Sequence, residues 1–337
     1  MQQPLIQPTA RGLYCAAGDF HIDPWRPVER ALITHAHADH ARSGHQRYWA
    51  ASEGIGLLRR RLGAKAALTA VGYGEPLRFG PVQVSFHPAG HVLGSAQIRV
   101  ERDGEIWVAS GDYKRDRDPT CRPFEPIRCD TFITEATFAL PAYRWPAAES
   151  VAADIGQWWA ENAAAGRTSV LFCYALGKAQ RVLAQLPSDA PGPIYLHGAV
   201  APLTEDYRAA GVVLPATRMI SEAPDAEDYA TSLVLAPPSA AGSPWMRRFR
   251  RPVTGFASGW MRIRGNRRRR GHDRGFVISD HADWPGLLQT IAETGAQQIL
   301  TTHGRADELV RHLREQGLAA QPLATLYGEG DGDEETP

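Results

Sequence analysis

The sequence predicts an α/β protein with room for two domains, on three observations. Its 337 residues exceed the usual domain size of about 100 to 200. The opening part alternates short apolar runs with Gly and Pro turns, a β-rich pattern. From Pro141 to Pro146 this changes to helix, strand and helix again, which marks a parallel α/β segment. Third, the run His35-Ala36-His37-Ala38-Asp39-His40 directly follows the buried strand expected over 31–34, at the strand end where α/β proteins place ligand sites.

In that loop His35 and His37, two apart on extended backbone, project to one side and hold one cation. Asp39 and His40 fall where the chain is expected to turn into a helix, which redirects them to a second cation. A His-rich surface loop without metal is the weaker reading, because unpaired histidines gain nothing by crowding. A helix is expected over 53–62 with its stop at Gly63. Gly80-Pro81 introduces a strand over 82–86, and Asp103-Gly104 marks a hairpin turn before a strand over 106–110. An apolar strand from Phe132 closes on Glu135. The inserted pattern is a helix over 152–159, a strand over 169–174 and a helix start bearing Gly177 and Lys178. Free backbone N–H groups there attract anions, so a substrate phosphate held by those amides and Lys178 stands against an ordinary turn with an exposed lysine. The segment is not a Walker A loop. Ser258-Gly259 either approaches the substrate or serves a tight turn. A strand over 275–279, a helix over 284–292 and a last strand over 298–302 return the chain to its first domain.

Lys and Arg total 37 against 37 Asp and Glu, yet the charge is uneven. Arg247, Arg248, Arg250, Arg251, Arg262, Arg264, Arg267 to Arg270 and Arg274 face only Asp273 within their stretch. Arginine's planar fork suits phosphate, whereas a solubilising surface mixes in Lys, Glu and Asp. Trp245, Phe249, Phe256 and Trp260 are interleaved there, most for core packing, with base stacking open to one or two. No run of about 18 apolar residues and no basic-then-apolar leader pattern occurs, so a cytoplasmic protein without membrane contact is expected. Cys15, Cys121, Cys129 and Cys173 lack Cys-x-x-Cys spacing and give no disulfide framework or thiolate zinc site. Residues 328–337 are acidic and Gly-rich, as in a disordered tail.

With its His-x-His-x-Asp-His run the chain resembles the metallo-β-lactamase fold. His91, in Gly90-His91-Val92-Leu93-Gly94-Ser95, resembles that family's third motif, and Asp112, in Ser110-Gly111-Asp112-Tyr113, stands where the family places a carboxylate bridging both cations. Asp23 matches the first motif, a carboxylate that orients a ligand or the bound water, with Asp19 close enough to compete. Beyond Asp112, Glu135, His281 in Ser279-Asp280-His281-Ala282-Asp283, and His303 in Thr302-His303-Gly304 resemble motifs A, B and C of the β-CASP nucleases, which include mRNA cleavage factors and Artemis-like DNA repair enzymes. Many eukaryotic DNA-specific members carry valine where His303 stands, which weakens a simple DNA assignment. The layout is most similar to the bacterial DNA-ligase-associated exonucleases, over about residues 11 to 327.

The resemblance implies a four-layer αββα sandwich over 1–145 and 271–327, with an inserted α/β β-CASP domain over 146–270. It implies His35, His37 and His91 on one metal, Asp39, His40 and His303 on the other, and Asp112 on both. Zinc suits these ligands, and manganese could replace it because imidazole and carboxylate without thiolate accept either. Two such ions would bring a shared water near neutrality for in-line attack on phosphorus, leaving a 5′-phosphate and a 3′-hydroxyl. His281, left without metal, would donate a proton to the departing 3′-oxygen while Glu135 holds its ring. Lys178, Ser258, Arg262 and Arg264 are the expected substrate contacts. The expected activity is a DNA exonuclease in DNA repair, with a DNA ligase and a helicase as partners by family analogy. An RNA-processing nuclease stays open, since phosphate contacts serve both polymers. An inactive nucleic-acid-binding protein is disfavoured by the chemically competent ligands. A thioester or lactam hydrolase is disfavoured because a small acyl substrate needs neither insertion nor arginines.

Overall fold

A computed structural model describes residues 4–222, 229–263, 271–302, 304, 306–323 and 325. They form a mixed α/β fold with three sheets in two compact units, Met1–Pro141 with His281–Thr336, and Ala142–Asp280.

The first unit opens with β1 (Gln7–Thr9), β2 (Gly12–Cys15), β3 (Phe20–Ile22), β4 (Arg30–Ile33), β5 (Arg47–Ala51) and β6 (Leu68–Val71), which pair in chain order into a six-stranded sheet, with α1 (Ile55–Leu62) between β5 and β6. β3 to β6 run parallel. Ala31, Leu32 and Ile33 of β4 are fully buried, as expected of an apolar run in a parallel strand. The sequence led to a helix directly after the histidine loop, but β5 intervenes. Asp39 and His40 therefore lie in a turn, where the His40 and Ala41 amides donate to the His37 carbonyl (3.3 and 2.8 Å). The polar Arg47 at the start of β5 hides that strand among turn residues. Next come β7 (Leu77–Phe79), β8 (Val82–Pro88), β9 (Ala96–Arg102), β10 (Glu105–Ala109) and β11 (Thr131–Glu135). Asp103 and Gly104 both take positive φ (53° and 86°), the geometry a two-residue hairpin between β9 and β10 needs.

The second unit is a parallel sheet. Its elements are α2 (Ala148–Ala164), β12 (Ser169–Phe172), α3 (Lys178–Gln185), β13 (Ile194–Leu196), α4 (Ala201–Ala209), β14 (Arg218–Met219), β15 (Leu233–Ala236), β16 (Val253–Ala257) and β17 (Arg274–Phe276), with strand order β14-β13-β15-β12-β16-β17. The strand expected to begin the return at 271 is β17. It pairs with β16 and buries Phe276 against Trp158 (5.4 Å between rings), so it belongs to this unit and the chain re-enters the first at His281.

The return supplies α5 (Trp284–Thr294), β18 (Gln298–Thr302), α6 (Ala306–Glu315) and β19 (Ala319–Pro322). β18 pairs parallel with β11, completing a seven-stranded sheet. The two sheets of the first unit share one core, with Leu13, Phe20 and Leu32 from one and Val84, Ile98 and Trp107 from the other. A second cluster sets Leu287, Ile291, Leu309 and Leu313 of α5 and α6 against Val108, Phe132 and Ile299. No helix among the described residues is long and apolar enough to cross a membrane.

Candidate metal centre

β8, β10, β11 and β18 all run the same way in their sheet, so their C-terminal ends share one edge. His91 follows β8, Asp112 follows β10 and Glu135 ends β11, while His35 follows β4 of the facing sheet. Backbone shape fixes these loops. Gly94 has φ of +74°, and a Cβ there would lie 2.1 Å from the Gly54 Cα, so only glycine lets the His91 loop rest on that turn. Ser95 then accepts from the His91 and Val92 amides (3.0 and 3.2 Å).

Single ligand atoms of His35, His37, His91 and Asp112 all lie within 4.8 Å of one another. His37 Nδ1 stands 3.1 Å from His35 Nε2 and 3.0 Å from His91 Nε2, and Asp112 Oδ2 is 3.5 Å from His35 Nε2 and 3.8 Å from His91 Nε2. The same Asp112 oxygen is 3.5 Å from His40 Nε2, which is 3.6 Å from Asp39 Oδ2. Asp23 aims that imidazole. Its Oδ2 lies 2.7 Å from His40 Nδ1, and it accepts from the Thr34 amide (2.7 Å) and hydroxyl. Asp19 is exposed and instead pairs with the Tyr14 hydroxyl and Arg30. His303 and Arg264 lie outside the described residues.

Burial, reinforced by the His40 imidazole, holds the His35 pKa well below the usual histidine value, so its ring is in the neutral form that ligates. Burial would also lower His40, but Asp112, Asp39 and Asp23 outweigh it and push His40 well up. Burial opposes ionisation of Asp112, yet His40, His281 and His35 hold its carboxyl well below the ordinary range. Asp112 Oδ1 is buried with no hydrogen-bond partner among the described residues. A buried carboxylate oxygen without a donor, beside converging imidazole nitrogens, fits a divalent cation, whose charge would satisfy all of them at once.

Asp112 also belongs to a second group with Glu135 and His281, again within 4.8 Å. His281 Nδ1 lies 2.9 Å from Glu135 Oε2, and the Tyr113 amide donates to Glu135 Oε1 (2.8 Å). His91 and Phe138 flank the His281 ring (4.8 and 5.8 Å), and the Ala282 amide donates to the Tyr113 carbonyl (2.7 Å). Asp283 caps α5 through the Gly286 amide (2.9 Å). The sequence reading passed over Thr34, Ser95 and Tyr113. Ser95 stands inside the His91 motif, but the other two act through a hydroxyl and a backbone amide that carry no spacing signal.

The expected phosphate contacts are placed differently. Lys178 is 1% exposed, its ammonium 3.5 Å from Asp280 and 4.3 Å from the centre of the Tyr174 ring, and Arg181, also buried, meets Asp280 at 3.0 Å. Ser258 is fully buried and caps the turn Gly259–Arg262 through the Trp260 amide (3.3 Å). Arg262 is exposed, with its Nε toward the Ala142 carbonyl (3.5 Å). Of the other histidines, His87 meets Ser85 (2.9 Å) and Glu125 (3.8 Å), and His45 accepts from the Val28 amide (3.2 Å).

No family model matches the chain. A protein of Opitutus terrae named a probable DNA ligase is 32% identical over 314 residues, 92% of this chain and 30% of that protein. A ribonuclease of Thermus thermophilus is 28% identical over 225 residues, 58% of this chain and 50% of that one. The chain thus spans half or less of the length of these relatives. A crystal structure of a protein of unknown function from Enterococcus faecalis V583 matches with a TM-score of 0.56 at 12% identity, over 80% of this chain and 74% of that one, a likeness of fold alone.

Proposed function

This chain belongs to the metallo-β-lactamase/β-CASP nuclease superfamily, and on that premise we propose that it is a metal-dependent phosphodiesterase acting on DNA, as an exonuclease in cytoplasmic DNA repair. In this reading the first unit is the four-layer αββα sandwich and the second the β-CASP-type insertion. The observation that carries the proposal is Asp112, whose carboxylate belongs both to the cage of His35, His37 and His91 and to the group with Glu135 and His281. A cation site and a buried proton-transfer pair meeting at one carboxylate suit hydrolysis of a phosphodiester better than storage of a metal.

His35, His37, His91 and Asp112 would hold one ion, and Asp39, His40 and Asp112, with His303, a second. Zinc or manganese bound there would supply an acidified water and positive charge for the phosphate oxygens. The protein's own groups do the rest. Glu135 accepts from His281 Nδ1 and, held by the Tyr113 amide, keeps the ring in one orientation. His281 Nε2 then carries the proton given to the departing 3′-oxygen, which leaves a 3′-hydroxyl and a 5′-phosphate. His91 and Phe138 flank that ring and restrict its rotation.

The preference for DNA is supported by the match of 92% of this chain to a protein named a probable DNA ligase, and a DNA ligase is the partner it suggests. The Thermus relative named a ribonuclease favours RNA as the second reading. Purified protein with added zinc or manganese, incubated with end-labelled DNA and RNA strands of both polarities, decides among them. Stepwise loss from DNA ends is expected. Cleavage of RNA alone would transfer the assignment to RNA, and cleavage of neither would overturn it.

A further inference from the structure

Of the aromatic side chains interleaved with the arginines, Phe249 and Phe256 are core residues, 5% and 1% exposed, while Trp245 stays half-buried. Trp245 sits in the 3-10 turn Pro244–Arg248, beyond the end of β15. Its ring meets His197 at 4.8 Å and 66°, with Phe249 behind it at 5.2 Å. The Arg248 guanidinium lies over that indole at 5.2 Å and its Nε donates to the Trp245 carbonyl (2.9 Å). Arg247, Arg248, Arg250 and Arg251 are exposed, and among the described residues none of them forms an ion pair.

We propose that His197, Trp245 and Arg248 form a stacking seat for an unpaired base of a single-stranded nucleic acid, with Arg247, Arg250 and Arg251 neutralising the adjoining phosphates. At the surface here His197 meets the Trp245 indole edge-on and the Arg248 guanidinium lies over it, and among the described residues these arginines have no acidic partner. A structural packing cluster would bury its guanidinium or pair it, whereas this one presents it to solvent. Bases stack on indole and guanidinium planes alike, but only where no complementary strand holds them, which selects a single strand over a duplex. The position agrees. His197 follows β13 and Trp245 lies beyond β15, so both flank the C-terminal edge of a parallel sheet, where open α/β sheets take their ligands.

The proposal rests on the nuclease reading, and its test separates the two. A single strand of about twelve nucleotides containing 2-aminopurine should lose fluorescence on binding the full-length protein as the base stacks. Trp245→Leu should abolish that quenching and weaken binding about tenfold, and Trp245→Tyr should restore both. Arg248→Gln, on an exposed side chain, should weaken binding several-fold and lower the salt slope by about 1, so the test holds even if the leucine variant fails to fold. A blunt duplex of equal length should lose less than twofold with either variant. If the parent cleaves nucleic acid while both variants bind the single strand within twofold of it, the seat is wrong and the nuclease reading stands. If the parent neither binds nor cleaves any strand, both are wrong.

Discussion

Two buried charged clusters, one in each unit, look alike in composition and differ in what completes them. In the second unit Lys178 and Arg181 close on Asp280 at 3.5 and 3.0 Å, opposite charges supplied by the protein itself. In the first, His37 Nδ1 lies 3.1 Å from His35 Nε2 and 3.0 Å from His91 Nε2 beside Asp112, a convergence of nitrogen and carboxylate donors that fits an external cation. Burial of polar side chains therefore does not mark a site. What distinguishes the first is a buried carboxylate oxygen with no hydrogen-bond donor among the described residues beside facing imidazole nitrogens, whereas Lys178 and Arg181 already meet the Asp280 carboxylate.

The sharpest way to break this contrast is Asp112→Ala. It should lose bound metal and reduce cleavage on the order of 10³-fold or more, read by elemental analysis and strand scission, because in the proposed reading one carboxylate would serve both ion positions. Asp280→Ala should do the reverse. Leaving Lys178 and Arg181 buried without their carboxylate costs about 3–5 kcal/mol in denaturant unfolding while metal content stays at the parent level; loss of metal there would merge the two clusters into one system. His281→Ala should keep its metal and lose about 10²-fold in cleavage, within the range of a single general acid, and a variant cutting at the parent rate would remove it from the reaction. The smallest effect concerns a buried histidine outside both clusters. Burial lowers His45 to about 4 from 6.5. The unfolded chain takes up that proton first, so its contribution is full above pH 6.5 and is lost as pH falls toward 4. His45→Asn should flatten the stability difference between pH 7 and pH 5 by about 1 kcal/mol, measured by chemical denaturation.

Much of the candidate metal site is legible because its chemistry is written in short strings. His35, His37 and Asp39 are two apart, and His91 and Asp112 each follow an apolar strand, a pairing of composition and pattern that survives without knowledge of tertiary contacts. β5 is short and begins with an arginine, which hides it among turn residues, and the pairing of β17 with β16 joins strands whose contact leaves no local mark in the sequence. Lys178 shows the commonest limit. A lysine at a strand-to-helix turn reads as exposed, and only the spatial return of Asp280, about a hundred residues later, explains how its charge is buried.

One consequence follows from the order in which the chain is made. His35, His37, His91 and Asp112 all leave the ribosome before the second unit, whereas His281 leaves only after all of it. In the proposed reading, a nascent chain would thus present its candidate metal ligands before its candidate proton donor, so a partial product of synthesis would leave nearby nucleic acid uncut.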